Sequence, residues 1–303
     1  MRIIYFGTGT FSIPTLRAMA EHIVLVVSQP DRVSGRGMKM HPSPAKAAAL
    51  ELGIEVATPE KSRVPEFVEQ MEALQADALL VASYGQILSQ RMLDSAHRGG
   101  INLHGSILPK YRGAAPIQRS IENREPETGI TLMQMDKGMD SGDIITIEHT
   151  PIGPDETYGE LQDRLAETAA RMAVDWMPRI VQGEYTREPQ EHSQMTLAPK
   201  IEKAECELDL QSSAVEQYAR FRAFTPAPGA FLQTQFGILK LSQARLGTGT
   251  APPGVVVSIG EGCEVGFAQG SLLLLEVQPE GKKRMSGRDF ANGMRVKPGM
   301  SLV

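Results

Sequence analysis

The stretch Asn102-Leu103-His104-Gly105-Ser106-Ile107-Leu108-Pro109 organises the predicted fold. It follows the short apolar run Gly100-Ile101, and this pattern predicts that the stretch lies at the end of a buried strand. Asn102 and His104 are two residues apart, so their side chains leave the same face of an extended strand. An amide and an imidazole placed there can both direct hydrogen bonds at a carbonyl oxygen that becomes negatively charged. The stretch therefore predicts chemistry at a strand end, and it lacks a carboxylate to orient the imidazole.

The segments before this stretch predict a parallel sheet. Residues 3–27 show the order strand, turn, helix, strand, which is typical of parallel α/β proteins. A further buried strand is predicted at 78–82, followed by the loop 83–88. The carboxyl ends of strands line the ligand crevice in open α/β sheets, so this loop and the opening stretch should converge. Other predicted elements of this half are helices at 45–52, 62–73, 115–123 and 157–181 and strands at 54–57, 129–135 and 143–149.

The missing carboxylate is expected between the last two of these strands. Asp136, Asp140 and Asp143 are all candidates, and glycines at 138 and 142 let the backbone pack closely around a ligand or a neighbouring loop. An aspartate in a turn more often caps backbone N–H groups than takes part in catalysis. The residues alone leave open which aspartate pairs with His104.

Two features of the first half bear on its ligands. The first turn has a Gly-x-Gly pattern without the third glycine of the dinucleotide fingerprint, and no acidic residue ends the second strand, so a nicotinamide cofactor is not expected. The connection 29–44 combines three prolines with the basic residues Arg32, Arg36 and Lys39. This connection is either a solvated loop or a basic finger that reaches a phosphate backbone.

The last third of the chain predicts a second domain. Residues 186–205 show little periodicity and are interpreted as a linker, and a helix is predicted at 212–224. Five short strands are then predicted at 231–236, 238–244, 254–259, 262–268 and 271–278. Such a series suggests an OB-like barrel, a common fold for binding single-stranded nucleic acid, with a plain structural β domain as the alternative.

Composition limits the class of protein. The formal net charge is −5, but residues 1–199 carry 19 Lys+Arg against 26 Asp+Glu, while residues 200–303 carry 12 against 10. Residues 1–199 are therefore acidic and residues 200–303 mildly basic, which permits binding of a polyanionic partner by the C-terminal part only. No apolar run approaches the roughly 20 residues that span a bilayer, so a cytoplasmic protein without a membrane partner is expected. Cys206 and Cys263 lie far apart without a CxxC pattern, so neither a disulfide nor a zinc site is expected.

Three motifs together resemble those of the methionyl-tRNA formyltransferase family. They are Asn102-x-His104-x-Ser106-x-Leu108-Pro109-x-Tyr111-Arg112-Gly113-Ala114-Ala115-Pro116, Met135-Asp136-x-Gly138-Met139-Asp140-Ser141-Gly142 and the loop 29–44. Enzymes that use formyltetrahydrofolate share the first two, and the tRNA enzymes add the third together with Arg222-Ala223-Phe224-x-Pro226-x-Pro228-Gly229. The resemblance covers nearly the whole chain. Departures at Gly105, Ile107 and Ser141 are conservative and touch no catalytic position.

The resemblance implies an α/β fold with a Rossmann-like N-terminal formyltransferase domain at 1–185 and a smaller C-terminal OB-like β-barrel domain at 206–303 that binds tRNA. It implies that a formyl group passes from 10-formyltetrahydrofolate, the co-substrate, to the α-amino group of methionine on initiator Met-tRNA, with no metal. Catalysis is then assigned to Asn102, His104 and Asp140. Folate binding is assigned to Gln86, Ile87, Leu88, Ser106, Leu108, Pro109 and Asp136. Contacts with tRNA are assigned to Thr8, Thr10, Arg32, Arg36 and Lys39.

Three alternatives stay open. A formyltransferase with a small acceptor, such as glycinamide ribonucleotide or an amino sugar nucleotide, would share the catalytic stretch, but a purine enzyme would need neither a second domain nor a basic finger. A second alternative is a tRNA-binding protein whose formyl-transfer site is inactive, but the complete set of Asn102, His104 and Asp140 argues against it. A folate hydrolase would use water as the acceptor. A monomer is expected. Pro109 is expected to fix the turn after His104, and the sequence leaves open whether the Leu108–Pro109 bond is cis.

Overall fold

The structure, a computed structural model, describes residues 1–34 and 39–303, with the backbone alone for residues 33, 34 and 39. The chain forms two compact units. The first comprises residues 1–116, 127–151 and 162–199, and the second comprises residues 117–126, 152–161 and 200–303. The segment 186–199, interpreted from the sequence as part of a linker, thus belongs to the first unit. The division of function between residues 1–185 and 206–303 stays a prediction.

A seven-stranded sheet forms the centre of the first unit. Its strands are β1 (Ile3–Gly7), β2 (Ile23–Val27), β5 (Val56–Ala57), β6 (Ala78–Ala82), β7 (Gly100–His104), β8 (Glu127–Gln134) and β9 (Ile144–Pro151). The spatial order is β5-β2-β1-β6-β7-β8-β9, in which the first five strands run parallel and the last two add antiparallel pairs. The predicted parallel sheet is confirmed.

Helices connect these strands. They are α1 (Ile13–Ala18), α2 (Pro44–Glu51), α3 (Pro65–Ala73), α4 (Gln90–Leu93) and α6 (Tyr158–Gln182), whose residues 158–161 belong to the second unit. Prolines stand in the first turns of α1, α2 and α3, where a missing N–H costs no helical hydrogen bond. Alternate strand residues such as Ile4 and Phe6 share one face and pack with Phe67 and Met71 of α3. The short helix α4 follows the predicted loop 83–88 and was not predicted.

The connection 29–44 contains a separate two-stranded antiparallel ribbon. Its strands are β3 (Arg32–Ser34) and β4 (Lys39–His41), with Arg32 paired with His41. Ser43 caps the helix that follows, because its hydroxyl accepts the backbone N–H of Lys46 at 3.1 Å. The connection, interpreted from the sequence as either a solvated loop or a basic finger, therefore contains two paired β-strands.

The second unit is built on an antiparallel sheet. Its strands are β10 (Phe231–Thr234), β11 (Gly237–Leu246), β12 (Val256–Ile259), β13 (Cys263–Gly266), β14 (Ser271–Pro279) and β15 (Met285–Ser286), and its helices are α5 (Pro116–Glu122), α7 (Ala214–Phe224) and α8 (Gly287–Gly293). The order is β10-β11-β14-β13-β12, with β15 also paired with β14. The five predicted strands and the OB-like fold class are confirmed, whereas β15 and α8 were not predicted. Within the described residues, no helix is both long and apolar enough to cross a membrane.

Candidate active site

Strand β7 carries Asn102 and His104 at its carboxyl end. Asn102 pairs with Val81 of β6 and Met133 of β8, and His104 pairs with Thr131 of β8. Only 8% of Asn102 and 5% of His104 is exposed. Burial of a polar side chain is costly unless it is hydrogen-bonded, so the partners of these two residues define what the site can do.

Asp140 supplies a carboxylate to both residues. Its Oδ1 accepts a hydrogen bond from Asn102 Nδ2 at 3.3 Å, and its Oδ2 accepts the backbone N–H of Gly113 at 2.9 Å. The same Oδ2 lies 3.6 Å from His104 Nδ1. Asp140 has a φ of +49°, a left-handed conformation that aspartate adopts more readily than most residues. Because 18% of its side chain is exposed, the carboxylate remains accessible to a substrate.

The orientation of the His104 ring follows from its second nitrogen. Nε2 lies 2.9 Å from the backbone carbonyl oxygen of Tyr111. A carbonyl oxygen only accepts hydrogen bonds, so Nε2 carries a proton. The neutral ring therefore presents an unprotonated Nδ1 toward Asp140, and Nδ1 carries a proton only when the ring is cationic.

Thr131 of β8 holds the loop that follows β7. Its hydroxyl donates to the carbonyl oxygen of Ser106 at 2.6 Å and accepts the N–H of Leu108 at 3.1 Å. The Ser106 hydroxyl in turn donates to the carbonyl oxygen of Lys110 at 2.7 Å. These hydrogen bonds fix the loop between His104 and Gly113, and no pattern in the sequence indicated a role for Thr131. The Leu108–Pro109 bond, whose isomer the sequence left open, is cis.

The structure distinguishes the three aspartates among which the sequence could not choose. Asp136 accepts the N–H of Gly138 at 2.9 Å and the Ser141 hydroxyl at 2.9 Å, so it organises its own loop. Asp143 lies 3.5 Å from Arg187 Nε in an exposed ion pair. Of the three carboxylates, Asp140 is the one in contact with Asn102 and His104.

Gln190 and Arg112 also contact this site, and no role was predicted for either. Gln190 donates from Nε2 to the carbonyl oxygens of Asp140, at 2.9 Å, and Gly142, at 2.7 Å. Its Oε1 accepts from Arg112 Nε at 3.0 Å and Nη2 at 2.6 Å. Gln190 lies in a segment without periodicity, so no pattern in the sequence indicated its burial.

The residues predicted to bind folate lie on three loops, which follow β6, β7 and β8. Ile87 is 79% exposed, and Gln86 is held by the backbone N–H of Ser62, which donates to its Oε1 at 2.8 Å. Pro109 is half-buried and Asp136 is exposed. By contrast, three of the predicted residues have at most 3% of their surface exposed: Leu88, Ser106 and Leu108. Their burial leaves little surface for contact with a ligand, and the assignment of the whole set to folate stays a prediction.

The residues predicted to contact tRNA are described only in part. Thr8 donates from Oγ1 to the carbonyl oxygen of Tyr84 at 2.9 Å, so it connects the ends of β1 and β6. Thr10 is exposed and accepts from Gln162 Nε2 at 3.1 Å. Arg32 is exposed at the base of the ribbon. Arg36 and the side chain of Lys39 lie outside the described residues.

Comparison with known proteins identifies the family. A family model described as formyl transferase matches residues 1–177, and one described as formyl transferase, C-terminal domain, matches residues 200–295. The methionyl-tRNA formyltransferase of Hydrogenovibrio crunogenus is 43% identical over 302 residues, which cover 98% of this chain and 97% of that protein. This chain belongs to the methionyl-tRNA formyltransferase family. A second member, from Myxococcus xanthus, is 41% identical over 301 residues, 98% of this chain and 96% of that protein.

Two solved structures share the fold of this family member. HypX from Aquifex aeolicus, solved in complex with tetrahydrofolic acid, matches with a TM-score of 0.67 and 15% identity over 96% of this chain and 47% of that chain. The sugar 3N-formyl transferase WlaRD, solved with dTDP and 5-N-formyl-THF, matches with a TM-score of 0.67 and 18% identity over 93% of this chain and 99% of that chain. At these identities the likeness concerns the fold alone. Within the described part of the chain, no group of three or more His, Cys, Asp or Glu side chains could hold a metal ion.

Proposed function

We propose that this chain transfers the formyl group of 10-formyltetrahydrofolate to the α-amino group of methionine on initiator Met-tRNA, giving formylmethionyl-tRNA and tetrahydrofolate. The observation that carries the proposal is the contact of the Asp140 carboxylate with both Asn102 and His104, in a chain that is over 40% identical to methionyl-tRNA formyltransferases along nearly its whole length. Acyl transfer to an amine requires donors for an oxyanion and an acceptor for a proton, and this cluster contains both.

The reaction begins with attack of the neutral amine on the formyl carbon. A bond forms between the amine nitrogen and that carbon, and the formyl oxygen becomes an oxyanion. Asn102 uses one amide N–H to bond Asp140 and has a second N–H for the oxyanion. His104 offers Nδ1–H as a further donor in its cationic form, because Nε2–H is already donated to Tyr111. Removal of one such donor typically lowers turnover on the order of 10²- to 10³-fold.

The second half of the reaction moves a proton and breaks a bond. The attacking nitrogen becomes cationic and passes a proton to Asp140, directly or through water. The bond from the formyl carbon to N10 of the folate then breaks, N10 takes up a proton, and the oxyanion collapses to the formamide. The backbone N–H of Gly113 holds Oδ2 of Asp140, which leaves the carboxylate oriented throughout.

Folate binding is proposed for the loop that follows β6. Val81 of β6 pairs with Asn102 of β7, so the carboxyl ends of the two strands are adjacent and the loop 83–88 begins beside the triad. Ile87 offers an exposed apolar surface for the pterin ring, and the fixed amide of Gln86 holds the loop in place. Tyr84 packs edge-to-face against Phe6, with ring centroids 5.1 Å apart, and anchors the loop to the sheet.

Contact with tRNA is proposed for the ribbon of β3 and β4. Lys46 Nζ lies 2.8 Å from both carboxylate oxygens of Asp31, so the one acidic residue of this connection is already paired. Among the described residues, Arg32 has no carboxylate partner and contacts only Gln29 Oε1 at 3.4 Å. Its charge is therefore available to a phosphate. We extend this role to Arg36 and Lys39, which follow in the same connection 29–44 of the sequence, and to Thr8 and Thr10.

Three finer assignments belong to this proposal. Residues 1–185 would bind folate and the aminoacyl end of the tRNA, and residues 206–303 would hold the tRNA body, with 186–205 between them. The chain would act as a monomer in the cytoplasm, where initiator tRNA is charged. Light scattering of the purified protein with and without Met-tRNA tests the monomer, since a mass twice that of the 33.0 kDa chain would contradict it.

One assay tests the activity. Labelled 10-formyltetrahydrofolate is supplied with initiator Met-tRNA, with glycinamide ribonucleotide, with an amino sugar nucleotide, and without an acceptor. We expect formylation of Met-tRNA alone. Formylation of a small acceptor alone, or release of formate at the same rate without an acceptor, would contradict the proposal.

A further inference from the structure

Gln190 has an amide whose hydrogen-bonding capacity is fully used next to the catalytic loop. It is 5% exposed, and it belongs to the same compact unit as Asp140. Nε2 donates to two backbone carbonyl oxygens, those of Asp140 and Gly142, and Oε1 accepts twice from Arg112. An amide has two N–H donors and two oxygen lone pairs, so all four are occupied. Such a buried, satisfied group rigidifies whatever it contacts.

Arg112 determines which way this amide points. Arg112 is 6% exposed, and its guanidinium can only donate hydrogen bonds, so it must face the oxygen of Gln190 and not the nitrogen. The backbone of Arg112 is itself fixed, because its N–H donates to the carbonyl oxygen of Thr196 at 2.9 Å and its carbonyl oxygen accepts the N–H of Ala198 at 2.7 Å. With the oxygen of Gln190 held toward Arg112, its NH₂ group is directed at the Asp140 loop.

The loop contacts of Gln190 lie at a strained residue and two residues after it. Asp140 has a φ of +49°, a conformation that persists only where the surroundings hold it. Gly142 lies so close to the carbonyl oxygen of Gln134 that an added Cβ would overlap it. Gln190 therefore fixes the peptide group that follows Asp140 and the one that follows Gly142, while Gly113 fixes the carboxylate itself.

We propose that Gln190 is a positioning residue that sets Asp140 to accept the proton of the attacking amine, and that Arg112 orients Gln190 for this task. This inference rests on the function proposed above. Gln190 contacts no reacting atom and acts through Asp140 alone. A misplacement of a catalytic group by about 1 Å can cost on the order of 100-fold in rate, so loss of the amide is expected to lower kcat by roughly 10- to 100-fold.

The main test uses Gln190→Met, which keeps the length of the side chain and removes all four hydrogen bonds. We expect kcat for Met-tRNA formylation to fall about 10- to 100-fold, with the KM for Met-tRNA changed less than about threefold. Gln190→Ala, which also removes volume, should lower kcat at least as much. A matched control is Gln134→Met, because Gln134 Nε2 likewise donates to two backbone carbonyl oxygens, those of Arg98 and Gly100. This control should lose stability without the fall in kcat.

A double-mutant cycle separates positioning from a merely structural role. If Gln190 acts through the Asp140 carboxylate, Gln190→Met should lower kcat less than about threefold in an Asp140→Asn background, where that carboxylate is already lost. Equal fold-losses in both backgrounds would overturn the inference. The inference would also be overturned if the kcat of Gln190→Met matched that of the wild type, or if it fell no further than the kcat of Gln134→Met.

The wild-type assay separates this inference from the proposed function. If the wild-type protein does not formylate Met-tRNA, the proposed function fails before any variant is compared. If the wild type is active and the Gln190 variants retain its kcat, the proposed function stands and the positioning role of Gln190 fails.

Discussion

The backbone N–H of Gly113 donates a hydrogen bond to Oδ2 of Asp140 at 2.9 Å and joins the loop after β7 to the loop between β8 and β9. Gly113 has a φ of +123°, a conformation that favours glycine, and a Cβ placed on it would lie 2.8 Å from the carbonyl oxygen of Ala198. The position of the Asp140 carboxylate thus depends on a residue that has no side chain.

Gly113→Ala is accordingly expected to impair both stability and activity. The strained backbone and the contact with Ala198 should lower the free energy of unfolding by roughly 1–3 kcal/mol, and displacement of the Gly113 N–H should lower kcat. Gly53→Ala is the matched control, because Gly53 also has a positive φ, +71°, but nothing lies within 4 Å of an added Cβ. Urea unfolding and formylation kinetics check both variants. An active Gly113→Ala enzyme would show that this N–H does not position Asp140.

The triad is expected to affect turnover more than folate binding. Asn102→Ala, His104→Ala and Asp140→Asn should each lower kcat on the order of 10²- to 10³-fold, because each removes an oxyanion donor or the proton acceptor. Asp143→Asn is the control, since Asp143 lies just after the same loop and pairs with Arg187 instead. Single-turnover formylation and folate binding by fluorescence measure the two effects separately. Near wild-type turnover in any of the three would remove that residue from the mechanism.

The basic ribbon should contribute to the salt dependence of tRNA binding. Arg32→Ala, Arg36→Ala and Lys39→Ala are each expected to weaken Met-tRNA binding and to reduce the slope of log K against log salt by about 1, while folate binding stays the same. Arg17→Ala is the control, because this exposed arginine pairs with Glu51 at 3.5 Å on the surface. Filter binding across a range of KCl concentrations measures the slope. An unaltered slope for all three ribbon variants would favour a solvated loop without a tRNA contact.

The strands of both units could be predicted because each is a short apolar or alternating run between turn residues. This holds for β7, whose five residues are all buried, and for the five longer strands of the second unit, from β10 to β14. The two-residue strand β15 and the helices α4 and α8 were missed, since a strand of two residues shows no alternation and helices of four and seven residues complete at most two turns.

The site could be predicted from residue spacing only where one element carries it. Asn102 and His104 share a strand face, so two residues of separation place them together. The choice of Asp140 over Asp136 and Asp143 depends on a contact between two loops, which no spacing reveals. Gln190 is the extreme case, because its contacts with Asp140 and Gly142 span about fifty residues of sequence from a segment without regular structure.

The second unit should lose stability in acid through Glu205. The carboxylate accepts from Arg119 Nη1 at 2.8 Å and from the backbone N–H of Glu202 at 2.8 Å. These hydrogen bonds, that from Arg119 foremost, lower the pKa of Glu205 from its ordinary value of 4.5. A lowered folded pKa stabilises the protein above the unfolded value, and this stabilisation is lost as the pH falls through the folded pKa.

Glu205→Gln is therefore expected to be less stable than the wild type at pH 7, by about 1 kcal/mol, because the side chain is one-third exposed and solvent screens the pair. The difference should persist down to about pH 4.5 and disappear as the pH falls below it. Glu207→Gln controls for the loss of one negative charge, since Glu207 is exposed and forms no ion pair within the described part of the chain. Urea unfolding between pH 7 and pH 3 measures the difference. A stability gap that stays constant down to pH 3 would show that Glu205 acts through packing and not through its charge.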